Sequence, residues 1–183
     1  MGAPKALLDC DGETFLDRII GTFATCCDPV IVVLGHHAAE IRGRLVRERQ
    51  AAFAANPSPD LGMLSTLQTG LAVVPAVCRS VFFHPCDMPL IQAETLGVLV
   101  AALSGAASEI LAAVPTLEGR RGHPVLIRSN WIPSFLSLPP GSTARTLLDA
   151  FPALAIEVPV QDTGVRRDFD TRDDYAAVFG VRP

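Results

Sequence analysis

The sequence predicts an α/β fold, a three-layer α/β/α arrangement around a mainly parallel sheet, and three observations carry this. Short β-branched or aromatic runs, notably residues 29–35 and 80–84, are apolar enough to be strands buried on both faces. The segments between them place apolar residues at helical spacing. The two kinds alternate along the chain, the order that covers a parallel sheet with helices on each face. No internal repeat or low-complexity tract interrupts the pattern, so residues 1–183 are expected to form a single domain.

In chain order, residues 13–22 form a helix that puts Phe15, Ile19 and Phe23 on one face, and residues 29–35 form a strand closed by Gly35. A helix over 38–50 turns Ile41 and Leu45 inward and Arg42, Arg44, Arg47 and Arg49 outward. Residues 56–59, Asn-Pro-Ser-Pro, form a loop, and 64–74 a helix. The strand 80–84 runs into Pro85-Cys86-Asp87-Met88-Pro89. A helix over 92–103, strands over 110–114 and 124–127, a helix over 143–151, a strand over 155–160 and a helix over 173–178 complete the chain. Thr171 is the expected N-cap of that last helix, with Asp174 at the capping-box position.

Composition excludes several classes of function. A formal charge of −4 leaves no basic footprint for nucleic acid. No apolar run approaches the roughly 20 residues that span a bilayer, and neither a signal-peptide core nor a myristoylation motif is found, since position 6 is Ala. The five cysteines lack C-x-x-C spacing. They read as free thiols of a reducing cytoplasm rather than a disulfide framework or zinc site.

In a parallel sheet, ligands bind beyond the carboxyl ends of the strands, and the candidate residues cluster there. Lys5 is the only lysine against fourteen arginines. A compact ammonium suits a crowded phosphate oxygen better than a planar guanidinium does. Asp87 follows directly on a hydrophobic strand between Pro85 and Pro89, well placed to hold Mg²⁺ bearing nucleotide phosphates, or else to cap the next helix. Alternation around Phe169 sends Asp168 and Asp170 to the opposite side from the ring. Gly62 to Leu71 is a loop entering a helix, whose first N–H groups could meet a base or ribose; Ser65 is equally well read as a simple cap. His123, in the Arg120-Arg121-Gly122-His123-Pro124 turn, reads equally as a contact to an anionic substrate or as a turn residue.

Together, Met1-Gly-Ala-Pro-Lys5-Ala-Leu-Leu8, the strand 30–35 with His36, and Gly62 to Leu71 resemble the MobA-like nucleotidyltransferases that activate molybdenum cofactor, more narrowly the cytidylyltransferase branch. Asp87-Met88-Pro89-Leu90, Gly122-His123-Pro124-Val125-Leu126, and Asp168-Phe-Asp-Thr171 with Asp174 continue the match in the family's order. The resemblance implies a Rossmann-like fold of the nucleotide-diphospho-sugar transferase type. It also implies transfer of CMP from CTP to the phosphate of molybdopterin with release of pyrophosphate, GTP being the alternative donor. Carried over, Gly2, Lys5, Gly62, Ser65 and Leu67 would contact the nucleotide, with Lys5 and Asp87 catalytic. Asp87 and Asp170, supported by Asp168, would hold Mg²⁺, and Gly122 and His123 would approach the pterin. A molybdenum hydroxylase is a further expected partner. Other readings are nucleotidyl transfer to another small phosphorylated acceptor, and a non-catalytic protein that holds molybdenum cofactor for insertion. The family opens with a hydrophobic strand and a Gly-rich loop ending in Arg, and the match here starts after them, as in an N-terminally truncated member. At least one of the strands 30–35 and 80–84 is therefore expected to lack a partner on one edge.

Overall fold

The computed structural model describes residues 4–180. After a 3-10 turn over Lys5–Leu7, the strands β1 (Asp9–Cys10) and β2 (Glu13–Thr14) form a small antiparallel hairpin that leads into helix α1 (Phe15–Phe23). Thr14 caps α1, its hydroxyl accepting from the Asp17 backbone N–H at 3.0 Å. Strand β3 (Ile31–Leu34), helix α2 (Ala38–Arg44), strand β4 (Ala52–Ala55) and helix α3 (Met63–Leu71) follow. Then come β5 (Ser80–Phe83), α4 (Ala93–Gly105), β6 (Ala112–Leu117), β7 (Arg120–Arg121) and β8 (Val125–Arg128). The chain ends with α5 (Ile132–Leu136), α6 (Ala144–Ala150), β9 (Ala155–Pro159) and α7 (Arg172–Phe179). Thr171 and Asp174 form the expected capping box on α7.

The α/β class and its three layers hold, with a mixed sheet at the centre. β9 runs parallel to β6, while β8 lies antiparallel between β6 and β5, and β7 pairs antiparallel with the end of β6. Alternation sorts the strand residues between the faces. Ala112, Val114, Val125 and Ile127 pack with Leu71 of α3, Phe135 of α5 and Leu147 and Leu148 of α6. Ala113, Leu126 and Val158 meet Leu99 and Leu103 of α4 on the other side.

β3 and β4 form a separate parallel pair. Val30 O and Leu34 O accept from Ala52 N and Asn56 N, so alternation turns the amides and carbonyls of Ile31 and Val33 away from β4. Arg79 O accepts from Ser129 N, which by the same argument turns those of Ser80 and Phe82 away from β8. Among the described residues, both β3 and β5 thus carry one unpaired edge. Two helices bridge these edges from opposite faces. α1 sets Ile20 against Val32 and Leu34, and Phe23 against Phe82 with ring centroids 5.8 Å apart. On the other face of the sheet, α3 brings Gly70 against Val33 and Leu67 toward Val81 and Phe83.

Several elements depart from the sequence expectation, the β1–β2 hairpin among them. The helix expected over 38–50 stops at Arg44; after it Leu45 is extended, and a second turn over Glu48–Gln50 leads into β4. β4, with the sequence Ala-Phe-Ala-Ala, lacks the β-branched residues that mark a strand and is defined by its ladder to β3. The β6–β7 hairpin has Glu118 and Gly119 at positive φ and too few residues to show a period. α5 is one short turn opened by Pro133.

Candidate active site

Lys5 leaves the first turn of the chain with Ala6 and Leu7 buried against Leu16, Ile20, Val32 and Leu34. Its Nζ donates to Asp87 Oδ2 at 3.3 Å and to Asp170 Oδ1 at 2.5 Å. Residues 82 and 165 positions away in sequence thus converge on a single ammonium, whose side chain is 31% exposed. Burial by itself would lower the Lys5 pKa, but the hydrogen bonds and charges of Asp170 and Asp87 outweigh it, and the net shift is upward. Lys5 is therefore a fixed cation at neutral pH rather than a proton carrier.

The loop that presents Asp87 is fastened at several points. His84 Nε2 donates to Met88 O at 2.8 Å, and Phe169 N to Asp87 O at 3.0 Å. Asp162 is buried; its Oδ2 accepts from Gln92 N and Thr95 Oγ1, and its Oδ1 from Gly164 N. These bonds tie the start of α4 to the segment leading to Asp170 and satisfy three donors with one carboxylate. Phe169 is buried with Phe15 and Tyr175, which leaves Asp170 free to face Lys5.

Gly122 and His123 lie beside this loop. A Cβ on Gly122 would collide with Val165 O, and His123 N donates to that same carbonyl at 2.8 Å. The His123 ring packs edge-on against Phe83 and His84. Burial lowers its pKa, and that of His84 is pushed down to about 3, so both imidazoles are neutral near pH 7. Among the described residues, the Nδ1 atom of each is buried without a hydrogen-bond partner. A neutral His123 can accept a hydrogen bond but cannot supply the positive charge that an anionic substrate would otherwise call for.

The other expected residues do not share the contacts of Lys5. Ser65 does not cap α3. The hydroxyl accepts from Asn56 Nδ2 at 2.9 Å and lies 3.0 and 3.1 Å from the Ser58 and Gly62 carbonyls. Leu67 is partly buried and packs its side chain against the core around Leu71. Gly62 does stand at the amino end of α3, and its φ of +86° explains the glycine. Asp168 is exposed and lines an open cavity of about 260 Å³ with Arg166, Arg167 and Asp174, rather than joining the contacts of Lys5. Gly2 lies outside the described residues.

The donor set suits a hard divalent cation. Among the described residues, no group of three or more His, Cys, Asp or Glu side chains is placed to hold a metal. Two converging carboxylates are nonetheless what Mg²⁺ or Mn²⁺ needs when phosphate oxygens and waters complete the shell. The site therefore fits a cation that arrives with a polyphosphate better than one held by protein alone. Sequence reasoning missed His84 and Asp162, which brace the Asp87 loop and the segment before Asp170, and Asn56, which fastens the loop ahead of α3. An Asn-Pro pair closing a strand was the available signal for Asn56, and it was hidden because β4 itself was not legible.

Comparison with known proteins bears on the fold and the family. The chain is 24% identical over 176 residues to the molybdenum cofactor cytidylyltransferase of Escherichia coli K12, covering 96% of this chain and 86% of that protein. It is 27% identical over 124 residues to a probable molybdenum cofactor guanylyltransferase of Bacillus cereus AH187, covering 66% of this chain and 57% of that protein. Among solved structures, Rv0371c of Mycobacterium tuberculosis H37Rv superimposes with a TM-score of 0.84 at 20% identity, over 99% of this chain and 91% of that one. Its manganese complex gives a TM-score of 0.80 at 21% identity, over 98% and 94%. The profile of the MobA-like NTP transferase domain matches residues 1–156, and the chain belongs to that family.

Proposed function

We propose that this protein transfers a cytidylyl group from CTP to the terminal phosphate of molybdopterin-type cofactor, releasing pyrophosphate. The observation that carries the reading is the convergence of Asp87 and Asp170 on Lys5 beyond the end of β5. A fixed ammonium beside two carboxylates is the arrangement that a polyphosphate and its cation require. The cytidylyltransferase relative supports CTP, since it aligns over nearly the whole chain, whereas the guanylyltransferase relative aligns over two thirds.

Asp87 and Asp170 would hold Mg²⁺, which when bound neutralises phosphate charge. The Lys5 ammonium would exchange its carboxylate contacts for an oxygen of the triphosphate. An oxygen of the acceptor phosphate then attacks the α-phosphorus in line, and the bond to the bridging oxygen breaks with its electron pair leaving on pyrophosphate. The attacking oxygen is already ionised near neutral pH, so the step calls for no general base. Positioning and charge neutralisation carry the rate. Gly122, pressed against Val165, and the neutral His123 form the wall beside Asp87 where the acceptor would lie.

Purified protein incubated with Mg²⁺, molybdopterin and equimolar CTP and GTP tests the reading. The cytosine dinucleotide and stoichiometric pyrophosphate are expected. Binding of the cofactor without pyrophosphate release would instead indicate a carrier.

A further inference from the structure

Asn56 closes β4 and is 6% exposed, a low value for an amide side chain. Its Nδ2 donates to Ser65 Oγ at 2.9 Å and to Thr66 Oγ1 at 3.0 Å, and its Oδ1 accepts from Ser58 N at 2.9 Å. The direction of every bond is fixed, because the Ser58 N–H can only donate and the carbonyls near Ser65 can only accept. The Asn56 backbone N–H donates to Leu34 O, which anchors the residue to β3. Pro59 packs against Gly35, where an added Cβ would stand 2.6 Å from Pro59 Cβ. One side chain therefore joins the end of the β3–β4 pair, the loop 56–62 and the first turn of α3.

The hydroxyls of Ser65 and Thr66 both face this amide. What the first turn of α3 offers outward is its backbone: the N–H groups of Met63, Leu64 and Ser65 have no acceptor within the helix. We infer that Asn56 is a positioning residue for nucleotide binding, fixing these main-chain donors, and that Ser65 acts through Asn56 rather than on the ligand. The inference rests on the proposed nucleotide transfer and on the expectation, carried over from the family resemblance, that the nucleotide lies against residues 62–67, and it goes beyond both in naming what holds the segment in place.

The test compares the full-length wild type with Asn56→Ala, Ser65→Ala and the double variant. The readouts are CTP titration, the KM-against-kcat split for pyrophosphate release, and amide hydrogen exchange over residues 62–67. Asn56→Ala is expected to weaken CTP binding about tenfold, as loss of roughly one net hydrogen bond's worth of ordering would, with kcat changed less than KM and exchange over 62–67 accelerated. Ser65→Ala, the milder change should Asn56→Ala fold poorly, should act in the same direction, and the double variant should be no worse than Asn56→Ala. Single-variant effects that multiply would show Ser65 touching the ligand and overturn the inference, as would faster exchange with unchanged CTP affinity. A wild type that binds neither CTP nor GTP would overturn the nucleotide assignment itself, and exchange would still report whether Asn56 clamps the loop.

Discussion

Asp87→Asn separates the chemical role of the site from its structural one. The carboxylate is 22% exposed and its Oδ2 lies 3.3 Å from Lys5 Nζ. At an effective dielectric constant of about 20, two unit charges at that distance attract by about 5 kcal/mol before desolvation and screening. Measured values for partly exposed pairs are nearer 0.2–1 kcal/mol, roughly. Lys5 also keeps Asp170, and Asn retains the shape of Asp, so the fold should lose no more than about 1 kcal/mol, or roughly 2–4 °C in Tm. The reaction should lose far more, because one of the two carboxylates that would hold the cation of the phosphates is gone. A preorganised electrostatic contact of this kind is worth about 10²–10³ in rate. Steady-state pyrophosphate release with CTP, Mg²⁺ and molybdopterin, read beside a thermal melt, checks both halves. Release within about tenfold of wild type, from a variant with an unchanged melt, would remove Asp87 from the reacting site.

Lys5→Arg should lower turnover about tenfold or more although the charge is kept, because a planar guanidinium cannot sit between Asp87 and Asp170 as a point donor; wild-type turnover and NTP affinity would show that the lone lysine carries no such role. In competition with equimolar GTP, CTP should give the major dinucleotide by mass spectrometry, and a guanine product would reverse the choice of base. His84 should make stability pH-dependent. Its imidazole takes a proton near pH 3 when folded and near 6.5 when unfolded, so its contribution is complete above pH 6.5 and declines as pH falls. The slope approaches about 1.4 kcal/mol per pH unit inside that window. Urea midpoints at pH 7.5, 6 and 5 should fall in that order, and His84→Gln should flatten the trend; equal wild-type midpoints would refute it.

What the sequence made legible follows from how local each signal is. The strands 29–35 and 80–84 and the capping box at Thr171 and Asp174 announce themselves within a few residues. Lys5 stood out as the lone lysine, Asp87 by its place between two prolines after a strand and Asp170 by alternation around Phe169, and the fold brings the three together. Ser65 was ambiguous in the sequence for a physical reason. A hydroxyl near a helix start can cap, face a ligand or serve a neighbouring loop, and only the tertiary position of Asn56 decides among these. Asp168 shares the sequence signal of Asp170, yet alternation says only that the two lie on one side of Phe169, not that both reach the same partner. β4 and α5 were invisible because one is almost all alanine and the other is a single turn.

The division of the strands also bears on how the site is held. Lys5 belongs to the part built on β3, through Ala6 and Leu7 against Val32 and Leu34. Asp87 belongs to the five-stranded sheet, at the end of β5. Among the described residues, no strand pairing joins the two parts, so the distance between ammonium and carboxylate is set by side chains that cross between them. α1 provides one such tie, with Ile20 toward β3 and Phe23 against Phe82 and His84. α3 provides the other, with Gly70 against Val33 and Leu67 toward Val81. Helix packing of this kind transmits position through close contact rather than through a hydrogen-bonded ladder, and a closely packed interface shifts when a side chain in it changes volume. The Lys5 contact to Asp87 is therefore a tie between the two parts as well as a piece of the chemical centre, whereas Asp170 follows Phe169, which packs with Leu8 and Phe15 on the side of Lys5. A polyphosphate drawing on Lys5 and on a cation at Asp87 would take over that bridging role and so would couple occupancy of the site to the docking of β3 against the five-stranded sheet.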